Sequence, residues 1–199
     1  AMQQNQMFAE EAEERRFRSY QLADQLRQSS DDLTRFARTY VTTGNPIYEQ
    51  YFHQILDIRN GKTPRPNGYE GIYWDLIAGG NEIKGPESAP ESLRAKMLDA
   101  GFTNDEFDKL TDAQNQSDAL VRLEEVAMHA VKGRFDDGTG TFLIEGPPDP
   151  QRAIDLLHGD AYHQAKSAIM KPIGDFMTMV DQRTRAEVNA LNYREWLLE

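Results

Sequence analysis

Residues 19–46 read SYQLADQLRQSSDDLTRFARTYVTTGNP, and their spacing decides the fold. Ser19, Leu22, Leu26, Ser29, Leu33, Phe36 and Tyr40 recur at alternating steps of three and four. That is a heptad seam, the pattern of a helix packed along its length against other helices. Phe8, Ala12 and Arg15 carry the same rhythm backwards, and no proline or glycine interrupts it before Gly44. The spacing predicts one helix over 3–43, roughly 60 Å long at about 1.5 Å per residue. Gly44 closes it as a C′ residue, and Asn45-Pro46 opens the next element.

Working outward, residues 46–59 predict a shorter helix with Ile47, Tyr51, Ile55 and Ile58 on one face. Residues 60–89 break the pattern. They hold the turn signals Asn60-Gly61, Asn67-Gly68 and Gly79-Gly80-Asn81, and the aromatic run GIYWDLI, readable as a short helix or strand. Ser88 with Glu91 predicts a capping box for a helix over 89–100, closed by Gly101. Thr103 with Glu106 predicts another, with Phe102 and Phe107 at hydrophobic-staple positions, for a long helix to about Val131. Its inward candidates are Leu110, Ala113, Leu120, Leu123, Ala127 and Ala130. Residues 133–149 read as a loop or hairpin, Pro150 opens a short helix, and a last helix covers 160–199 with Pro172 expected to kink it. The fold class is therefore all-α. One elongated, four-helix-like bundle over 1–199 has long terminal helices as a stalk and two inserts, 60–89 and 133–149.

The chain carries a formal charge of −11, which repels phosphate backbones and argues against nucleic acid as a partner. It has no cysteine, which removes disulfides, thiol catalysis and cysteine-ligated metals. No apolar run approaches the roughly 20 residues that span a bilayer. Ala1-Met2 reads as a cloning scar, and YREWLLE stops inside a helical pattern, so an excised piece of a longer protein is expected. Both terminal helices grow polar toward the chain ends. If antiparallel, they bring those ends to one pole, as two flanking membrane crossings would require. A helical hairpin from a cytoplasmic coiled coil is the alternative.

Chemistry concentrates in the first insert. Arg59, Arg65, Tyr69, Tyr73, Trp74 and Asp75 combine aromatic walls, whose faces suit a cation, with a guanidinium fork suited to a carboxylate. The same aromatics, with Ile72 and Ile77, could instead plug the open end of the bundle, or offer a surface to a partner. His163 stands as a ligand-binding or pH-sensing candidate. His158 and His163 are spaced off one helix face, so no metal site is assigned, and no cofactor either. FDDGTGTF at 135–142 lacks the ligand spacing of a calcium loop and the Lys-Ser/Thr of a phosphate loop. Tyr40, Tyr48, Tyr51 and Phe52 read as core or, if the second helix folds back, as lining of the same cavity as the insert, and Met128, Met170, Met177 and Met179 as core filler. No nucleophile has a placed base, so no enzymatic activity is expected of this chain.

Three stretches carry a resemblance: LTRFARTYVTTGNPIYEQYF at 33–52 with PRPNGYEGIYWDL at 64–76, GFTNDEFDKLTDAQNQSDALVRLEEVAMHAVKGRF at 101–135, and YHQAKSAIMKPIGDFMTMVDQRT at 162–184. Together they are similar to the extracytoplasmic helical sensor domains of bacterial transmembrane receptors. The resemblance implies a periplasmic signal-input module between two transmembrane helices of an inner-membrane protein, acting as a homodimer and answering a small-molecule or protein signal. A sensor histidine kinase of a two-component system is the first expectation for the parent. A chemoreceptor or a cyclase is the alternative, as is a periplasmic protein-interaction module with no small-molecule ligand. The resemblance carries no binding motif.

Overall fold

The computed structural model describes residues 2–197. Among them are seven helices and one short hairpin: α1 (Met2–Thr43), α2 (Pro46–Arg59), α3 (Tyr73–Ala78), α4 (Leu93–Asp99), α5 (Asn104–Val131), β1 (Arg134–Phe135), β2 (Ile144–Glu145), α6 (Pro150–His158) and α7 (Asp160–Trp196). The all-α expectation holds. Leu198 and Glu199, the end of the expected last helix, lie outside the described residues.

The boundaries follow local chemistry. Gly44 sits at φ +68, where a side chain is strained, and its N–H returns to the Tyr40 carbonyl at 2.7 Å. The Asn45 side chain accepts from Ile47 N–H at 3.1 Å, and Pro46 occupies the first turn of α2. The Thr103–Glu106 capping box forms in both directions. The other expected box does not: Ser92, not Ser88, caps α4, accepting from Ala95 N–H at 3.0 Å. Ser88 is instead held extended, its N–H on the Arg65 carbonyl at 3.0 Å, because two prolines flank it and block an earlier helix start.

Ion pairs fix the helix directions. Arg16 meets Asp181 at 2.7 Å and Lys166 meets Asp31 at 2.8 Å, so α1 and α7 are antiparallel, with the start of α1 beside the end of α7. Lys109 to Asp175 and Arg183 to Glu106 set α5 antiparallel to α7. Lys132 to Glu49 and Arg59 to Asp118 set α2 antiparallel to α5. The result is an up-down-up-down bundle. Its first leg is α1 and its third is α5. Its fourth is α6 followed by α7, separated at Gly159. The helix of α7 continues through Pro172.

The second leg is split. α2 packs against the upper half of α1, and α4 packs against its lower half and against α5. Residues 60–92 leave the bundle between the two and return. Gly61, at φ +74, lies so close to the returning chain that a Cβ there would sit 2.5 Å from Ser92 N. The core runs along all four legs, through Leu26, Leu33 and Phe36, Phe52 and Ile55, Leu110 and Met128, and Ile169, Phe176 and Val180. The α1 seam is buried from Ala12 upward, apart from Arg15 and part of Leu22. Phe8, at the foot of the stalk, is exposed.

Candidate functional site

The aromatic part of the insert is a plug. α3 lays Trp74 against Phe36 at 5.5 Å between ring centroids, Tyr51 at 5.5 Å and Tyr73 at 5.0 Å, and the indole is 2% exposed. Its Nε1–H donates to the Tyr69 hydroxyl at 3.1 Å, so burial leaves no orphaned donor. Of the expected plug residues, Ile77 packs partly against the core, whereas Ile72 is exposed. Tyr40 and Phe52 are buried in the same core, and Tyr48 and Tyr51 pack against it, Tyr48 stacked on Phe36 and Tyr51 tilted against it. Asp75 points away from the core and pairs with Arg35 at 2.6 Å.

Arg59, Arg65 and Tyr69 come together elsewhere, at the split in the second leg. They line a cavity of ≈20 Å³ with Ser29 and Gln25 of α1, Ile55 and Ile58 of α2, Glu91, and Leu93 and Lys96 at the start of α4. Arg65 reaches it from the insert. Its guanidinium stacks over Tyr69 at 4.7 Å, donates to Glu70 at 2.8 Å and lies 3.4 Å from Gln25 Oε1. Burial works against the charge of Glu70, but Arg65 outweighs it and holds the carboxyl below its ordinary range. Tyr69 is pushed up by burial.

Arg59 ends α2 and turns inward. Its side chain is 2% exposed, donates to Ser117 Oγ at 2.8 Å and Asp118 Oδ1 at 2.9 Å, and lies 3.4 Å from Ser29 Oγ; its Nε is buried without a partner. Burial pulls its pKa down, and Asp118 and then Glu124 resist. Lys96 is half-buried, forms no ion pair among the described residues, and is pulled down by burial and by repulsion from Arg65. Gln25, Glu91 and Lys96 also line a second space, a groove of ≈370 Å³ between α1 and α4 that includes Leu22 and Ala100. The cavity therefore adjoins, along the bundle, a groove of ligand size.

Behind Arg59 lies a polar layer across the bundle. Glu124 of α5 is 1% exposed and faces Tyr162, whose hydroxyl lies 3.4 Å from the carboxylate and donates to Thr34 Oγ1 at 2.7 Å. Lys166 bonds Ser30 at 2.9 Å and Asp31 at 2.8 Å. Burial raises the Glu124 pKa to about 8, against the pull of Lys166, Tyr162, Arg59 and Arg38, so this carboxyl is mostly neutral at pH 7. His163 is exposed on α7, next to buried Tyr162 and apart from the cavity.

The structure thus brings Arg59, Arg65 and Tyr69 to one cavity, and places Tyr73, Trp74, Asp75 and His163 outside it. Lys96, Gln25 and Glu124 are additions. Only Glu124 had a readable signal: the rhythm Leu110, Ala113, Ser117, Leu120, Glu124, Ala127 runs through two polar residues. Among the described residues, no group of three or more His, Asp or Glu is placed to hold a metal ion, and no helix is long and apolar enough to cross a membrane. No family model, curated protein or solved structure matches the chain.

Proposed function

We propose that the chain is a ligand-binding input module, with its site at the split between α2 and α4. The observation that carries this reading is a buried cation, Arg59, at a cavity that shares its wall with a groove beside it. A purely structural bundle gains nothing from burying a guanidinium whose Nε stays unpaired, since an apolar residue there stabilises as well or better. The site joins four elements, so an occupant contacts α1, the foot of α2, the insert and α4 together. A ligand that favours one packing of these elements shifts the bundle toward it. α1 and α7 both lead to the opposite pole and would transmit the shift.

The resemblance and the antiparallel α1–α7 pair support the fuller reading. In it the module is the periplasmic part of a transmembrane receptor, first a sensor histidine kinase, with a chemoreceptor or cyclase as alternatives. Exposed Phe8, Phe17, Tyr193 and Trp196 at the lower pole support a homodimer. Docking of a protein partner is the second reading, favoured by Ile72, just before α3, and Leu76, on it, both exposed.

A thermal-shift screen of organic acids, amines and neutral metabolites tests the input role. A stabilising compound whose effect disappears in Arg65→Gln, with the variant still folding cooperatively, is the expected result. Hits indifferent to Arg65→Gln and Lys96→Gln would move the site away from the split leg.

A further inference from the structure

We propose that the ligand is a small organic acid. Its carboxylate enters the cavity against Arg65 and Lys96, with Arg59 as the charge behind them, and its body lies in the groove between α1 and α4. This rests on the input reading above and adds the chemical class.

The placement of charge carries the inference. The chain is acidic overall, at −11, yet three of its cations converge on one cavity. Their acidic partners do not follow them inward. Arg59 and Arg65 side chains are 2% and 17% exposed, while Asp118 and Glu70, which pair with them, are 42% and 63% exposed. Glu91, the one acid lining the cavity, is exposed as well. Water screens the acids on the outside, and the low-dielectric interior keeps the field of the cations. Lys96 has no carboxylate within ion-pair distance among the described residues; Arg65 repels it, and Glu91 and Glu70 favour its charge only from farther off. The acids that balance these cations sit on the solvent side, which leaves the cavity side of the cations open to a negative charge.

Size and shape narrow the class. A cavity of ≈20 Å³ admits about one or two waters, which the oxygens of a carboxylate would replace. A phosphate presents four oxygens, more than a space of ≈20 Å³ admits. The planar guanidinium of Arg65 matches a carboxylate edge. Leu22 and Ala100 in the adjoining groove supply apolar surface for the remainder of the acid.

Trp74 reports on the site without lining it, because its indole N–H rests on Tyr69, a cavity residue. In a Trp196→Phe background it is the sole tryptophan. Its fluorescence is followed during titration with butyrate, benzoate, their amides butyramide and benzamide, and inorganic phosphate. A saturable change with one or both acids below about 20 mM, at least tenfold weaker with the matching amide and with phosphate, is expected. Arg65→Gln and Lys96→Gln should each weaken it about tenfold, and added salt should weaken it further. Circular dichroism checks that each variant folds, and the half-exposed Lys96 site keeps the test open if Arg65→Gln does not. Binding of an amide as tightly as its acid, or of phosphate more tightly, would overturn the carboxylate and leave the input reading standing. Binding unchanged in both variants would overturn the site. Silence from every probe would overturn both.

Discussion

Replacing Glu124 by Gln separates the cost of a buried charge from the value of a buried hydrogen-bonding group. The folded pKa is about 8, against an ordinary value of 4.5. A raised carboxyl pKa means that the native state holds its proton more tightly than the unfolded chain. Stability is therefore full below about pH 4.5 and falls as pH rises toward 8, by about 1.4 kcal/mol per unit while only the unfolded state ionises. The loss is about 3 kcal/mol by pH 7 and levels off near 5 kcal/mol above pH 8. Gln keeps the shape and a donor for the Tyr162–Thr34 network, and it does not titrate. At pH 5 the variant should match wild type within about 1 kcal/mol. At pH 8 it should be the more stable by several kcal/mol, or about 10 °C in Tm for a chain of this length. Urea unfolding of both proteins at pH 5, 6, 7 and 8 gives the difference directly, and every other titrating group cancels in it. A difference that stays flat across that range would refute the buried, neutral carboxyl.

Three further outcomes test the fold around the site. Trp74→Ala should cost about 3–5 kcal/mol in urea unfolding, because the plug packs on Phe36 and Tyr51 and leaves Tyr69 without its donor; a loss under about 1 kcal/mol would make it a surface flap. Gly61→Ala should cost about 2–4 kcal/mol, since φ is +74 and the new Cβ meets Ser92 N at 2.5 Å, whereas Gly71→Ala, at φ +75 in open space, should cost only about 1–2 kcal/mol. Equal losses would mean that the two halves of the second leg do not abut. Thr103→Ala should cost about 1 kcal/mol by removing one side of the α5 capping box, with Thr103→Ser recovering most of it by the same measurement.

The long elements were legible because each rests on a signal of its own. The seam from Ser19 to Tyr40 needs only periodicity, and Gly44-Asn45-Pro46 and Thr103–Glu106 need only local chemistry. The start of α4 was misplaced by four residues because Ser88–Glu91 satisfies the same local rule as the true cap. What separates them is the extended pairing of Ser88 with Arg65, a contact between distant residues. The insert was legible as aromatic and turn-rich, but which aromatic turns inward was not. Trp74 and Ile72 are two apart on one short segment, and only the position of Phe36 and Tyr51 chooses between them. Arg59 and Arg65 stood out as cations beside aromatics. Lys96 did not, since its role depends on α4 continuing the line of α2 after a long excursion.

Arg59 is where the cavity and the polar layer meet. It lines the cavity, bonds Ser117 and Asp118 of α5, and lies beside Ser29 of α1. Its charge is also felt by Glu124, which in turn faces Tyr162 of α7. In the proposed input role, an anion arriving at the cavity adds a negative charge close to Arg59 and offsets part of what the guanidinium now gives to Glu124. Glu124 then holds its proton more firmly, and the Tyr162–Thr34 contact between α7 and α1 stays with a neutral carboxyl to a higher pH. Ligand binding and protonation of Glu124 must favour each other by the same factor, because linkage is reciprocal. Carboxylate affinity should accordingly fall as pH rises from 7 to 9 in wild type, and lose that part of its pH dependence in Glu124→Gln. Fluorescence titrations of the two proteins across that range measure it, and parallel pH profiles would show that the polar layer holds the bundle in register without hearing from the cavity.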